Sequence, residues 1–402
     1  MGNLLGSPVI EKDTHSGRTE DGLEFGVSSM QGWRVHMEDA HICEPKIYAR
    51  EEDVIIDLNG HSLFAVFDGH GGTFAAQYAG NNLLRVLSRH KKFIEYAKFH
   101  QERQVKEAQL SEGERASFLR EGLDLLEGAF KDAFLELDSE IYKAKMGQIH
   151  PDANKPFHVS EGLQDDSVED STQRDSIRFQ EVKTMAESDA DDSGTTAVVV
   201  MITPDWILCA NSGDSRSVIS KQNHKAVPLS YDHKPDDAHE QQRIKAAGGY
   251  VAGGRVDGDL AVSRGLGDFR FKIANTVCQG NTPLSSDYEI SNFVKPEDQK
   301  VSPVPDIIVQ NRSCVNDEFI VVACDGIWDV KTNQECVKMI ADIFSEGESN
   351  IGLLCEEVLD ICLKDGSKDN MTALVIKFPA QQVGIGGGVA ARRMNRSDDG
   401  MH

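Results

Sequence analysis

The chain has 402 residues, 39% hydrophobic and 27% charged, close to globular averages, so wholesale disorder is excluded. At about 150 residues per domain its length suggests roughly two to three domains, although one sandwich domain can reach about 250. Its 42 Lys and Arg against 66 Asp and Glu leave a formal net charge of −24. That balance argues against nucleic acid and anionic membrane as extended partners, and suits a protein whose acids hold cations.

No run of 18 apolar residues is present, and Met1–Glu11 lacks the basic start and apolar core of a secretory signal. The eight cysteines (Cys43, Cys209, Cys278, Cys314, Cys324, Cys336, Cys355 and Cys362) form no C-x-x-C pair and read as reduced thiols, mostly in the core. A cytosolic or nuclear chain is the expectation. Met1-Gly2-Asn3-Leu4-Leu5 resembles an N-myristoylation start, with Gly6 where the pattern wants a hydroxyl and Ser7 one place later. A single acyl chain on Gly2 would give reversible membrane attachment.

In chain order, β-like runs are predicted at Leu23–Met30, Ala40–Cys43 and Leu63–Phe67. A helix follows over Thr73–His90. A second helix opens at Ser111 with a capping box, Ser111-x-x-Glu114, and carries Leu119, Leu123, Leu126, Phe130, Phe134, Leu137 and Ile141 at spacings of three and four. Thr195–Ile202 and Trp206–Ala210 read as a hairpin around Thr203-Pro204-Asp205. Further strands are predicted at Ser217–Ser220, Asp306–Val309, Phe319–Ala323 and Met371–Phe378, with helices at Ala238–Ala247, Lys331–Ile343 and Ile351–Leu363. Several apolar runs do not alternate, so those strands are expected to be covered on both faces. The order suggests layered α and β rather than repeated βαβ units.

Residues 1–20 read as an N-terminal extension and 21–378 as one domain. Within it, 145–192 reads as an acidic, solvated insertion, its 151–192 portion holding 12 acids and 4 bases. The tail, 379–402, is Gly-rich at Gly384–Gly388 and basic at Arg392, Arg393 and Arg396, and is expected to be disordered.

The sharpest signal is where aspartates fall. Leu63–Phe67 stops at Asp68-Gly69-His70-Gly71-Gly72, and Phe319–Cys324 stops at Asp325-Gly326-Ile327-Trp328-Asp329. Lys368-Asp369-Asn370 directly precedes the last strand. If that strand runs antiparallel to the other two, the three aspartates lie along one sheet edge. Carboxylates gathered there repel one another unless cations separate them, and hard divalent ions with oxygen ligands are the natural partners. Two such ions bridged by water would make a hydroxide nucleophile. Upstream, in Gly32–Asp39, Arg34 has the planar fork that suits phosphate, while Glu38 and Asp39 can accept from metal-held waters.

These motifs, together with Gly213-Asp214-Ser215-Arg216, Leu260–Asp268 and Gly366–Thr372, stand in the order found in the metal-dependent protein phosphatases of the protein phosphatase 2C type. The resemblance spans about residues 20–378. It implies an α+β fold in four layers, α-β-β-α, a central antiparallel β-sandwich flanked by helices. It also implies two Mg²⁺ or Mn²⁺ ions with a weaker third, and phosphoserine and phosphothreonine proteins as substrates. By motif position, Asp68 would bridge both metals, the Gly69 carbonyl would bind one, and Asp325 and Asp369 would hold the second. Glu38 and Asp39 would act through water, and Asp214 and Asp329 would match the third site. Arg34 would bind phosphate, His70 would be the general acid, and Arg255 a second basic group near substrate. The span 231–293 would be a flap beside the cleft, and a monomer is expected.

Rival chemistries fail on spacing. No cysteine has Arg six residues on, as a cysteine phosphatase needs, and Cys209 to Arg216 is one too long. Asp189-Ala190-Asp191 is preceded by polar residues rather than an apolar strand, and as a calcium loop it has Val200 at the twelfth position. No Gly-x-Ser-x-Gly elbow occurs at a strand-to-helix turn. The remaining alternative, a catalytically silent phosphoprotein-binding scaffold, would have been favoured by loss of Asp68, Asp325 or Asp369, and all are present.

Overall fold

The computed structural model describes residues 4–107, 109–147, 193–272 and 294–399. Gly2, nearly all of the acidic insertion, and 273–293 of the expected flap lie outside them. Two antiparallel sheets pack face to face. The six-stranded sheet runs Leu4–Arg18, Glu24–Arg34, Met371–Lys377, Asp317–Ala323, Arg216–Lys221, Lys225–Pro228. The five-stranded sheet runs Asp306–Asn311, Trp206–Ser212, Ala197–Ile202, Ser62–Phe67, Ala40–Glu44.

Side-chain alternation turns the continuous apolar runs into three layers of core. Ile320, Val322 and Cys324 meet Phe64, Val66, Val198 and Val200 between the sheets. Phe319, Val321 and Ala323 face the other way, onto helices Asn333–Ser345 and Ile351–Lys364. Leu63, Ala65 and Phe67 likewise face helices Phe74–Arg89, Lys91–Glu107 and Glu112–Lys145. The result is the four-layer α-β-β-α sandwich that the resemblance implied. All predicted strands form, and the Ser111–Glu114 capping box closes the start of the long helix. The Thr203–Asp205 turn joins an antiparallel pair in which Ile202 faces Ile207.

Four features differ from the sequence reading. Leu4–Arg18, within the expected N-terminal extension, is an edge strand that no predicted run covered, paired with Glu24–Arg34 through Thr14–Ser28 and neighbouring registers. Helix Lys91–Glu107 was not anticipated, because charges interrupt its short apolar stripe of Phe93, Tyr96 and Ala97. The three aspartates do not share one sheet: Asp325 and Asp369 flank paired strands of the six-stranded sheet, but Asp68 ends a strand of the five-stranded one. The site therefore lies where two sheet ends meet.

The tail is the fourth. Gly388–Asp399 is a helix, and Val389 is buried against the Asn333–Lys364 helical layer. The glycines before it allow close backbone approach: a Cβ at Gly384 would strike the carbonyl of Ser345. Gly384 N donates to Phe344 O at 2.9 Å, and Arg392 forks onto Glu346 at 2.7 and 2.8 Å. Glycines that looked like entropy are here contact points.

Among the described residues no helix is long and apolar enough to cross a membrane. The seven described cysteines are free thiols, five of them buried, with Cys314 exposed.

Candidate active site

Each acid is delivered by a strand end and held there by backbone. Asp68 follows Ser62–Phe67. Its N–H donates to Thr196 Oγ1 at 3.2 Å, and its carbonyl accepts from Thr196 N at 3.0 Å and Thr195 Oγ1 at 3.1 Å. Asp325 opens a short helical turn after Asp317–Ala323, and its N–H points at Asp68 Oδ2, 3.4 Å away. That contact joins the two sheets at the acidic cluster. A Cβ at Gly69 would strike the Glu38 carbonyl, and one at Gly326 the Asn370 carbonyl, so both Asp-Gly pairs need glycine for closeness.

Ligand atoms of Asp39, Asp68 and Cys324 lie within 4.8 Å of one another. Asp39 Oδ2 accepts from Thr372 Oγ1 at 2.7 Å, while its buried Oδ1 has no hydrogen-bond partner. Burial pushes the Asp39 carboxyl up to about 7, against the Thr372 hydrogen bond and the nearby Cys324 thiol and with added repulsion from Asp369 and Glu38. Asp68 is raised well above the carboxylate range by burial and then by Asp325, Asp39, Asp214 and Asp369. Asp325 is raised likewise, by burial and then by Asp214, Asp369 and Asp329. Clustered acids at such electrostatic cost, with one buried oxygen unpaired, fit divalent cations in chemistry and in place.

Arg34 pairs with Asp369, and its side chain remains 39% exposed. Glu38 Oε1 caps the glycine loop by accepting from Gly72 N at 3.0 Å. His70 sits on a miniature three-stranded sheet of Gly69–His70, Gly194–Thr195 and Leu266–Gly267. Its Nε2 lies 2.8 and 2.9 Å from the two carboxylate oxygens of Asp268. Burial alone would lower His70, but Asp268, with Asp214 and Glu38, outweighs it and raises the imidazole above its ordinary value. Asp214 is buried and ion-paired with Lys234, while Asp329 is exposed at the rim. Arg255 is exposed on the Val251–Val256 hairpin and donates to Asp259 O at 2.5 Å. Among the described residues no hydrogen bond or ion pair joins it to the acidic cluster.

Four site residues escaped the sequence reading. Asp268 orients His70 from a left-handed backbone, φ 53°, that Asp tolerates better than most residues. Asn370 accepts from Glu38 N at 2.9 Å and donates to Gln31 O and His36 O at 2.8 and 2.9 Å, so it ties the Arg34–Asp39 loop to the sheet. Lys234 supplies a fixed positive charge at Asp214, and Cys324 places its thiol among the acids. Asp268 and Asn370 stand inside motifs already singled out; nothing local marks Lys234.

The site is thus a cluster of acids brought together from both sheet ends of a four-layer sandwich. The family described as "Protein phosphatase 2C" matches residues 23–152 and 140–371. The chain belongs to the protein phosphatase 2C family. It is 34% identical over 380 residues to protein phosphatase ppm-1.A of Caenorhabditis elegans, covering 94% of this chain and 64% of that protein. It is 32% identical over 380 residues to protein phosphatase 1A of Mus musculus, covering 94% and 77%. The chain thus spans less than two thirds of ppm-1.A, and 62% of the yeast protein phosphatase 2C homolog 2. A crystal structure of a phosphatase from Toxoplasma gondii superposes with a TM-score of 0.58 at 20% identity, covering 93% of this chain and 97% of that one, and supports the fold.

Proposed function

We propose that this chain is a protein serine/threonine phosphatase that removes phosphate from phosphoserine and phosphothreonine with Mg²⁺ or Mn²⁺. The convergence of Asp68, Asp325 and Asp39 from both sheets, with Asp39 Oδ1 left unpaired, carries this reading. The relatives' names support the substrate class. Asp68, Asp325, Asp369 and the Gly69 carbonyl would hold two ions, Glu38 and Asp39 would act through water, and Asp214 with Asp329 would serve a weaker third. Bound ions would supply positive charge for the phosphoryl oxygens and a water acidic enough to attack near neutral pH.

The chain's own groups do the rest. Arg34, ion-paired with Asp369 and partly exposed, would present parallel N–H groups to two phosphate oxygens. Water attacks phosphorus in line as the P–O bond to the Ser or Thr oxygen breaks. With Nε2 held by Asp268, His70 Nδ1 is the ring atom left to deliver a proton to that departing oxygen. Purified protein should release phosphate from a phosphothreonine peptide with Mn²⁺ and stop on chelation, and Asp68→Asn should lose turnover. Wild-type rates from Asp68→Asn, or indifference to chelator, would defeat the assignment. Peptide binding without phosphate release would identify the silent scaffold instead.

A further inference from the structure

Outside the acidic cluster lies a buried charge pair that the chemistry above does not use. Asp138, on the inner face of helix Glu112–Lys145, and Lys272 have side chains only 7% and 2% exposed. Burying two charges is costly unless further hydrogen bonds satisfy them, and here they are supplied. Asp138 Oδ1 accepts from Lys272 Nζ at 2.7 Å and from Gly267 N at 2.8 Å, and Lys272 Nζ also donates to Gly265 O at 3.0 Å. The pair therefore grips the 265–272 segment on either side of Asp268. Gly267 itself is at φ 79°, and a Cβ there would meet Ser193 O, so the main chain is confined from two directions.

The gripped segment is the one that holds His70. Leu266 and Gly267 pair with Thr195 and Gly194, which pair in turn with Gly69 and His70. Asp268 N donates to Ser193 O at 3.2 Å, and the Asp268 carboxylate packs against Gly194 where a Cβ would strike it. A shift of this segment would move Asp268 before any other part of the site.

We propose that the buried Asp138–Lys272 pair is a positioning device for the Asp268 carboxylate, and through it for the His70 imidazole that protonates the leaving oxygen. It acts on the leaving group and leaves the acidic cluster and Arg34 untouched. The inference rests on the reading of His70 as general acid.

Leaving-group dependence tests it. A threonine alkoxide needs a proton as it departs, whereas p-nitrophenolate does not. Asp138→Leu/Lys272→Met replaces the pair by apolar side chains of similar bulk, an exchange that buried ion pairs commonly tolerate. With Mn²⁺, this variant should lose about tenfold or more in kcat on a phosphothreonine peptide, within the range a general acid contributes. It should lose far less on p-nitrophenyl phosphate, with KM little changed on both. On a His70→Gln background the same exchange should cause no further loss of selectivity, because one proton-delivery unit is already disabled. Should the double variant fail to fold by circular dichroism, Asp138→Asn carries the test, with a smaller loss in the same direction. Equal losses on both substrates, or added loss on the His70→Gln background, would overturn the positioning role. If His70→Gln itself shows no selectivity, the general-acid reading falls and takes this inference with it. A selective His70→Gln beside an unselective pair variant sinks the inference alone.

Discussion

At the residue scale, the site is built from groups whose partners are remote in sequence. Asn370 shows this best: one side chain satisfies Glu38 N, Gln31 O and His36 O, more than 330 positions away. Asn370→Ala leaves those backbone groups unpaired, and should cost about 1–3 kcal/mol of stability in urea unfolding. Because Arg34, Glu38 and Asp39 ride on the loop it ties down, the Mn²⁺ concentration for half-maximal activity should also rise roughly tenfold. An unchanged Mn²⁺ requirement would mean that the loop is held by other means. Asp68 and Asp325 were marked in the sequence because each stands where an apolar run stops and is followed by glycine. Asp268, Lys234 and Asp138 carried no such mark. Their roles arise from a His, an Asp and a Lys supplied by other elements.

At the element scale, helices and strands followed their apolar periods, and the errors came from segments stabilised by docking. The C-terminal helix Gly388–Asp399 has too few apolar residues to predict, yet it seats Val389 and lays Arg392 and Arg393 over Glu346, Glu356, Glu357 and Asp360. Deleting residues 384–402 should cost roughly 2 kcal/mol, or about 2–3 °C in Tm for a chain of this size, from lost burial and charge-assisted hydrogen bonds. An unaltered melting curve would show that the helix contributes nothing.

Helix Lys91–Glu107 docks through a buried histidine. His61 Nδ1 lies 3.0 Å from Asn59 O and Nε2 lies 2.7 Å from Tyr96 Oη, so the neutral ring donates at one nitrogen and accepts at the other. Burial, with His100 nearby, lowers His61 to about 3. Between that value and about 6.5 the unfolded chain binds a proton that the folded one refuses, so stability falls as pH drops through this window. The group can contribute up to about 1.4 kcal/mol per pH unit. His61→Gln should flatten that slope in unfolding titrations from pH 6.5 to 3.5, and an identical slope would reassign it.

At the scale of the whole molecule, the charge of −24 is unevenly spent, and part of it is concentrated where two sheets meet. There the metal-free fold holds protons that the unfolded chain has already released, since Asp39 is raised to about 7 and Asp68 and Asp325 are raised as well. The contribution of these carboxyls to metal-free stability should therefore fall as pH rises from about 4 to 7, opposite in sign to the contribution of His61. Divalent ions should restore it, so added Mn²⁺ should raise Tm more at pH 7.5 than at pH 5.5. Equal shifts at both values would separate the stabilising ion from these carboxyls.

The sequence by itself marked most of the strands and helices, and the aspartates of Asp68-Gly69 and Asp325-Gly326, because apolar periodicity and strand-end Asp-Gly pairs are local properties, while the order of its motifs pointed to the fold. Only the tertiary structure decided that Asp68 faces Asp325 across two different sheets, that the end of a Gly-rich tail packs as a helix, and that Asp268 meets His70, Lys234 meets Asp214, Asn370 ties down the Arg34–Asp39 loop and Asp138 meets Lys272. Those facts depend on strand pairing and on burial, which fix distances between residues that chain order leaves open.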